Sequence, residues 1–163
     1  MKQIKLVRVD NRLVHAQIIL IWLKHININT IIIVDNEIAT NPFLIQVYKL
    51  TIPPHISLKV FTTDEMISYT QQKETYSKIK IRTMVLMKSI NIAVELHKKG
   101  MDISQLQIGG ISLENNQRPN QIISILSHKY ENELHYLECH NVFVYLQSVP
   151  EDTKVQILYQ SLL

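Results

Sequence analysis

The segment Ile28 to Asp35, INTIIIVD, constrains the fold more than any other stretch of the chain. After Thr30 it is an unbroken run of Ile and Val, with no polar residue in alternation. A strand with one wet face alternates polar and apolar residues, whereas an unbroken β-branched run suits a strand covered on both faces. That is the condition of a parallel sheet flanked by helices. Comparable strands are read at Ile4–Val9, Ile56–Thr62, Ile81–Met87, Ser104–Leu113 and Asn141–Pro150, the fifth broken by the pair Gly109-Gly110.

Helical segments fill the intervals. Ala16 to His25 has helix length and is apolar on nearly all sides, so it is expected to be largely buried. Asn41-Pro42 combines an N-cap residue with proline at the first helical position. Asp64 and Glu65 place negative charge in the first turn of a helix that begins at Thr63. Ser89 to Lys99 is a helix closed by Gly100. Asn120 to His140 reads as mostly helical, and a short helix is expected from Glu151. Strands alternating with helices predict an α/β, doubly wound, mainly parallel sheet with helices on both faces, as a single domain over 1–163.

With 46% apolar and 19% charged residues, the 163-residue chain suits one globular domain with a real core. A net charge of +3, spread along the chain, gives no argument for nucleic acid. A lone cysteine, Cys139, permits no intrachain disulfide and fits a reducing compartment. The longest apolar run, Ile18 to Leu23, falls far short of the roughly 20 residues of a membrane span. Charge returns within MKQIKLVRVD before a signal-peptide core could form. A soluble, cytoplasmic protein is therefore expected.

In open parallel sheets ligands bind beyond the carboxyl ends of the strands. Four places qualify: Asp10–His15, Val34–Glu37, Met87–Ser89 and Gly109-Gly110. The first is the richest. His15 stands at the start of a buried helix, where free N–H groups and the helix dipole attract an anion and favour a neutral, nucleophilic imidazole. Arg12 can offer a planar fork to phosphoryl oxygens. Asp10 can accept a hydrogen bond from one ring nitrogen, fix the tautomer and expose the other. Arg8 adds positive potential if it turns to the loop. A nucleophilic histidine, an arginine and helix-terminal amides suit phosphoryl transfer, and no carboxylate cluster calls for Mg²⁺. On spacing alone, the bland alternative is a loop histidine beside a solvated arginine.

At this point the residues carry a resemblance. VRVDNRLVHAQIILIW resembles the N-terminal signature of the mannose/fructose/sorbose-type IIB components of the bacterial phosphoenolpyruvate-dependent sugar phosphotransferase system, through Arg8, Asp10, Arg12, Leu13, His15, Gln17 and Trp22. IIIVDNEIA, LQIGGIS and VFVYLQSVPED are similar to later segments of that family, in the same order. The resemblance implies a phosphohistidine carrier and hence a transferase, a protein-N-phosphohistidine–sugar phosphotransferase component. His15 would accept a phosphoryl group from a IIA domain and pass it to a sugar held by the membrane IIC/IID permease. Arg12 would stabilise that group, with Asp10 and Asn11 on the same loop. Such a carrier would meet the inner face of the membrane only through the permease. It needs no cofactor, and a homo-oligomer stays open. Three places depart from the family pattern. Ala16 stands where the family has glycine, and would be strained if that position needs a left-handed backbone. Asp35-Asn36 reverses the usual order, which would move a carboxylate from the site. Leu113 to Gln121 matches only loosely.

Supporting roles are expected for Gln17, for Lys88 and Ser89 at the end of the fourth strand, and for Gly109 and Gly110, where backbone could approach the phosphoryl group. Ser89 could equally be only an N-cap, and the glycines only a bend. His135 and Cys139 share a helix face near His128 and His140, but no second cluster completes a metal site and none is expected. Two other classes remain as alternatives. One is a degenerate IIB-like regulatory or scaffolding module. The other is a receiver or nucleotide-binding domain, against which stand the lack of an acidic pair after the first strand and of any glycine in the first turn.

Overall fold

The computed structural model describes residues 2–72, 80–110 and 119–159. Seven strands form one sheet: β1 (Lys2–Val9), β2 (Thr30–Val34), β3 (Ser57–Phe61), β4 (Ile81–Met87), β5 (Gln105–Ile108), β6 (Phe143–Leu146) and β7 (Val155–Gln156). Their order is β3-β2-β4-β1-β5-β6-β7, all parallel except the β6–β7 pair. The expected doubly wound α/β domain is therefore what forms. One end differs from the expectation. Among the described residues, those after Glu151 make no helix but return as the two-residue antiparallel β7.

The β-branched runs explain the two cores. Along β2, Ile32 and Val34 join the cluster formed with Met66, Val94, Leu126 and Leu137, while Ile31 and Ile33 join Leu13, Ile18, Trp22 and Ile38 on the other face. The first cluster is covered by α4 (Thr63–Gln71), α5 (Ile90–Lys98), α6 (Pro119–Lys129) and α7 (Glu131–Cys139). The second is covered by the helix after β1, by α2 (Asn36–Ala39) and by α3 (Pro42–Thr51). Starts follow the capping chemistry. Asn41 accepts from Phe43 N and Leu44 N, and Thr62 forms a reciprocal capping box with Glu65. Gly100, at φ +97°, closes α5 as expected. The run Asn120–His140 is two helices, interrupted at Tyr130.

The helix after β1 departs from a regular α-helix. Winding begins at Ala16, is π-helical over Ile18–Trp22, and continues as α1 (Leu23–His25). Leu23 N donates to Ile18 O, five residues back. The widened turn brings Ile18, Trp22 and Leu23 all inward, at 0%, 3% and 5% exposure. It also corrects the expectation of a helix buried all round, because Leu20 is 63% exposed.

β1, like β2, leads to the second face, whereas its neighbours β4 and β5 lead to helices on the first. The loop after β1 thus emerges where connections diverge, the usual ligand crevice of such sheets. On the second face no helix covers β5 and β6 among the described residues.

Candidate functional site

The loop after β1 is held by its neighbours. Asp10 N donates to Met87 O at 2.9 Å, Asn11 N to Gly110 O at 2.8 Å and Gly109 N to Val9 O at 2.9 Å. Asp10 then turns the chain. Its carbonyl accepts from Leu13 N at 2.9 Å and its Oδ1 from Arg12 N at 3.2 Å, an Asx-type turn. His15 O accepts the first helical hydrogen bond, from Ile19 N at 3.0 Å. His15 therefore stands at the helix start, as the sequence predicts.

Asp10 is the centre of the site. It is fully buried, and its Oδ2 lies 3.0 Å from Arg8 Nη2 and 3.0 Å from His15 Nε2. Its Oδ1 accepts from Arg12 Nε at 3.2 Å. Burial alone would push the Asp10 carboxyl up. Hydrogen bonds from His15 and Arg12 and the charge of Arg8 outweigh that and hold it below the ordinary carboxylate range. An ionised carboxylate only accepts, so this contact selects the tautomer with the proton on Nε2 and the lone pair on Nδ1. The His15 side chain is 15% exposed and that of Arg12 50%, so both face the outer end of the crevice. Arg12 Nη2 also donates to Gln17 Oε1 at 3.1 Å.

Arg8 has a different place from the one expected. It does not add potential to the loop surface but lies fully buried beneath Asp10. Its Nη1 donates to Gln107 Oε1 and to Gln147 O at 3.0 Å, its Nη2 to Asp10 and to Ser148 O at 3.3 Å. Trp22 Nε1 donates to the same Ser148 carbonyl at 3.0 Å, with Arg8 Cζ 5.3 Å from the indole centroid. Burial pulls the guanidinium below its usual value and the Asp10 charge offsets this.

The glycine pair is explained by the same groups. A Cβ on Gly109 would lie 1.9 Å from Arg8 Cζ, and one on Gly110 would lie 2.6 Å from both Arg12 Nη2 and Asp10 Oδ1. The close approach expected there is thus made by the arginines and Asp10. Ala16 is not in a left-handed conformation; within this loop the positive φ falls on Leu13, at +53°. The strain that a left-handed Ala16 would carry does not arise; the left-handed backbone falls three residues earlier, on a side chain that is fully buried.

Lys88 and Ser89 follow β4. Lys88 Nζ pairs with Asp35 Oδ2 at 3.0 Å, and Asp35 also caps α2 through Ile38 N. Asp35 is therefore held within the fold by Lys88 and Ile38 N. Ser89 occupies the N-cap of α5 without a side-chain capping bond. Of the loosely matching stretch Leu113–Gln121, residues 113–118 lie outside the described residues. Cys139 Sγ lies 3.7 Å from His135 Nε2, but no group of three metal-ligating side chains occurs among the described residues. Among those residues no helix is long and apolar enough to cross a membrane.

A cleft of about 700 Å³ opens on the uncovered face of the sheet, lined in part by Leu6, Gln105, Tyr145 and Lys154. It is not lined by Asp10, Arg12 or His15, and meets the site only through Trp22, Gln107 and Gln147 at its inner end. The last two are the residues that sequence reasoning missed. The one signal for Gln107 is register. Arg8 is paired with Gln107, and Gln107 with Tyr145, so three polar side chains form a lateral row across β1, β5 and β6.

A doubly wound, mainly parallel sheet with an Asp-Arg-His loop at its point of divergence defines a small α/β domain. The profile of the PTS system sorbose subfamily IIB component family matches residues 4–160, and the chain belongs to that family. It is 28% identical over 144 residues to the PTS system sorbose-specific EIIB component of Lacticaseibacillus casei, covering 88% of this chain and 84% of that protein. It is 23% identical over 155 residues to the N-acetylgalactosamine-specific phosphotransferase enzyme IIB component 1 of Escherichia coli, covering 94% and 96%. The fold superposes on the IIBSor domain of the sorbose permease from Klebsiella pneumoniae with a TM-score of 0.77, at 22% identity, covering 96% and 94% of the two chains.

Proposed function

We propose that this chain is a cytoplasmic phosphohistidine carrier of a sugar phosphotransferase system, with His15 as the carrier residue. The observation that carries the reading is the 3.0 Å contact of His15 Nε2 with the buried Asp10 carboxylate, which leaves Nδ1 as the nucleophile. In the first step the Nδ1 lone pair attacks phosphorus on a phosphohistidine of a IIA domain. The donor P–N bond breaks and a new P–N bond forms on His15. The Nε2 proton stays on the ring, and the cation that forms is stabilised by Asp10. Arg12 and the free amides at the helix start neutralise the phosphoryl oxygens. In the second step a sugar hydroxyl held by the membrane IIC/IID permease attacks phosphorus, the His15 P–N bond breaks, and the hydroxyl proton leaves to a base on that side. No metal or nucleotide enters either step.

Supporting roles fall to Asp10 as orienting base, to Asn11 and Gln17 on the same loop, and to Lys88 on the neighbouring strand end. The test is phosphorylation by phosphoenolpyruvate, the general phosphotransferase proteins and a cognate IIA domain. The wild type acquires an acid-labile phosphate and His15→Ala does not. Equal labelling of His15→Ala overturns the assignment.

A further inference from the structure

We infer that Gln107, locked by Gln147, is a positioning residue for phosphoryl transfer at His15, acting through Arg8 and Asp10. The inference rests on the carrier reading of His15. A buried arginine with several rotatable bonds does not present one nitrogen to one carboxylate oxygen unless its other donors are fixed. Here Nη1 is fixed from the side opposite Asp10, by Gln107 Oε1 and the carbonyl of Gln147. Gln107 is itself fixed, since its Nε2 donates to Gln147 Oε1 at 3.0 Å. Gln147 is fixed in turn, donating through Nε2 to Asp152 O at 2.9 Å and Pro150 O at 3.2 Å. Gln107 and Gln147 are 1% and 6% exposed, so water does not replace these partners readily.

The β6–β7 turn is thereby tied to the phosphotransfer loop through a line of side chains, beside the direct bonds of Arg8 to its main-chain carbonyls. It runs Gln147, Gln107, Arg8, Asp10, His15. The line ends at Nε2, so its consequence is chemical as well as structural. It keeps the ring proton on Nε2 and the attacking lone pair on Nδ1. Removing the Gln107 acceptor leaves Nη1 on the Gln147 carbonyl alone, lets the guanidinium turn, and loosens Asp10 from His15.

Nitrogen-15 NMR of the histidine ring in the unphosphorylated protein tests this without any partner. In Gln107→Leu the Nε2–H tautomer of His15 loses its dominance, and the rate of phosphorylation by IIA falls roughly ten-fold or more. Gln107→Glu keeps an acceptor for Nη1 but loses the donor to Gln147 Oε1, so it restores the tautomer in part. Gln147→Leu leaves its main-chain carbonyl on Arg8, so it is the milder variant and serves if Gln107→Leu does not fold. A wild-type tautomer and rate in both leucine variants overturns the inference. Absence of phosphorylation on the wild type would instead overturn the carrier reading, because the tautomer measurement needs no phosphate.

Discussion

The chain has three glycines, and the structure predicts three different responses to Gly→Ala. The largest is at Gly109. The added Cβ would stand 1.9 Å from Arg8 Cζ and Nη2 and 2.3 Å from Nε. Carbon atoms rest at about 3.5–4.0 Å, so the guanidinium must retreat by about 1.5 Å or more. Gln107, the carbonyls of Gln147 and Ser148 and the Trp22 ring enclose it, and no retreat keeps the Asp10 bond. Breaking a buried pair in this way costs about 3–5 kcal/mol. At Gly110 the half-exposed Arg12 can swing outward but buried Asp10 cannot, which places the cost at about 1–3 kcal/mol. At Gly100 nothing lies within 4 Å and only the φ of +97° opposes a side chain, about 1 kcal/mol. Urea denaturation followed by circular dichroism gives the three values. Gly109→Ala should also cost far less in an Arg8→Ala background, since its target is gone. A Gly109→Ala protein no less stable than Gly100→Ala would refute the reasoning.

At Leu13 two effects oppose each other. Leu13→Gly and Leu13→Ala both lose burial, but glycine relieves the left-handed backbone, so it should be the more stable of the two by about 1 kcal/mol in thermal or urea unfolding. Asp10 should make the wild type acid-sensitive. Its carboxyl is held below its unfolded value, so its contribution is complete above about pH 4 and is lost as pH falls through the lower folded value. Asp10→Asn flattens that part of a stability-versus-pH curve. Arg12→Lys keeps the charge but not the fork, so its phosphorylation rate by IIA should fall about ten-fold or more while urea stability stays within about 0.5 kcal/mol.

Much of this architecture was legible because it depends on local chemistry. The β-branched runs mark β2 and β4, the Asn41-Pro42 and Thr62–Glu65 signals mark helix starts, and Asp10, Arg12 and His15 lie close enough in the chain to be read as one loop. What escaped depends on distant partners or on backbone geometry. Gln107 is 99 residues from Arg8 and is brought to it by strand register, and Gln147, 139 residues away, follows directly after β6. The burial of Arg8 follows from that joining, so its role could not be assigned from its neighbours Val7 and Val9. The left-handed backbone fell on Leu13, a residue type that seldom adopts it, because the turn made by Asp10 dictates φ there. The two-residue β7 carries no periodic signal, and α2 is a single turn set by Asp35.

The central claim is that the Asp10 bond to Nε2 directs the phosphoryl group to Nδ1 of His15. Correlated phosphorus-31 and nitrogen-15 NMR of the phosphorylated, histidine-labelled protein reads the linkage directly. The account predicts phosphorus coupled to Nδ1 with the proton retained on Nε2. Phosphorus coupled to Nε2 would contradict it.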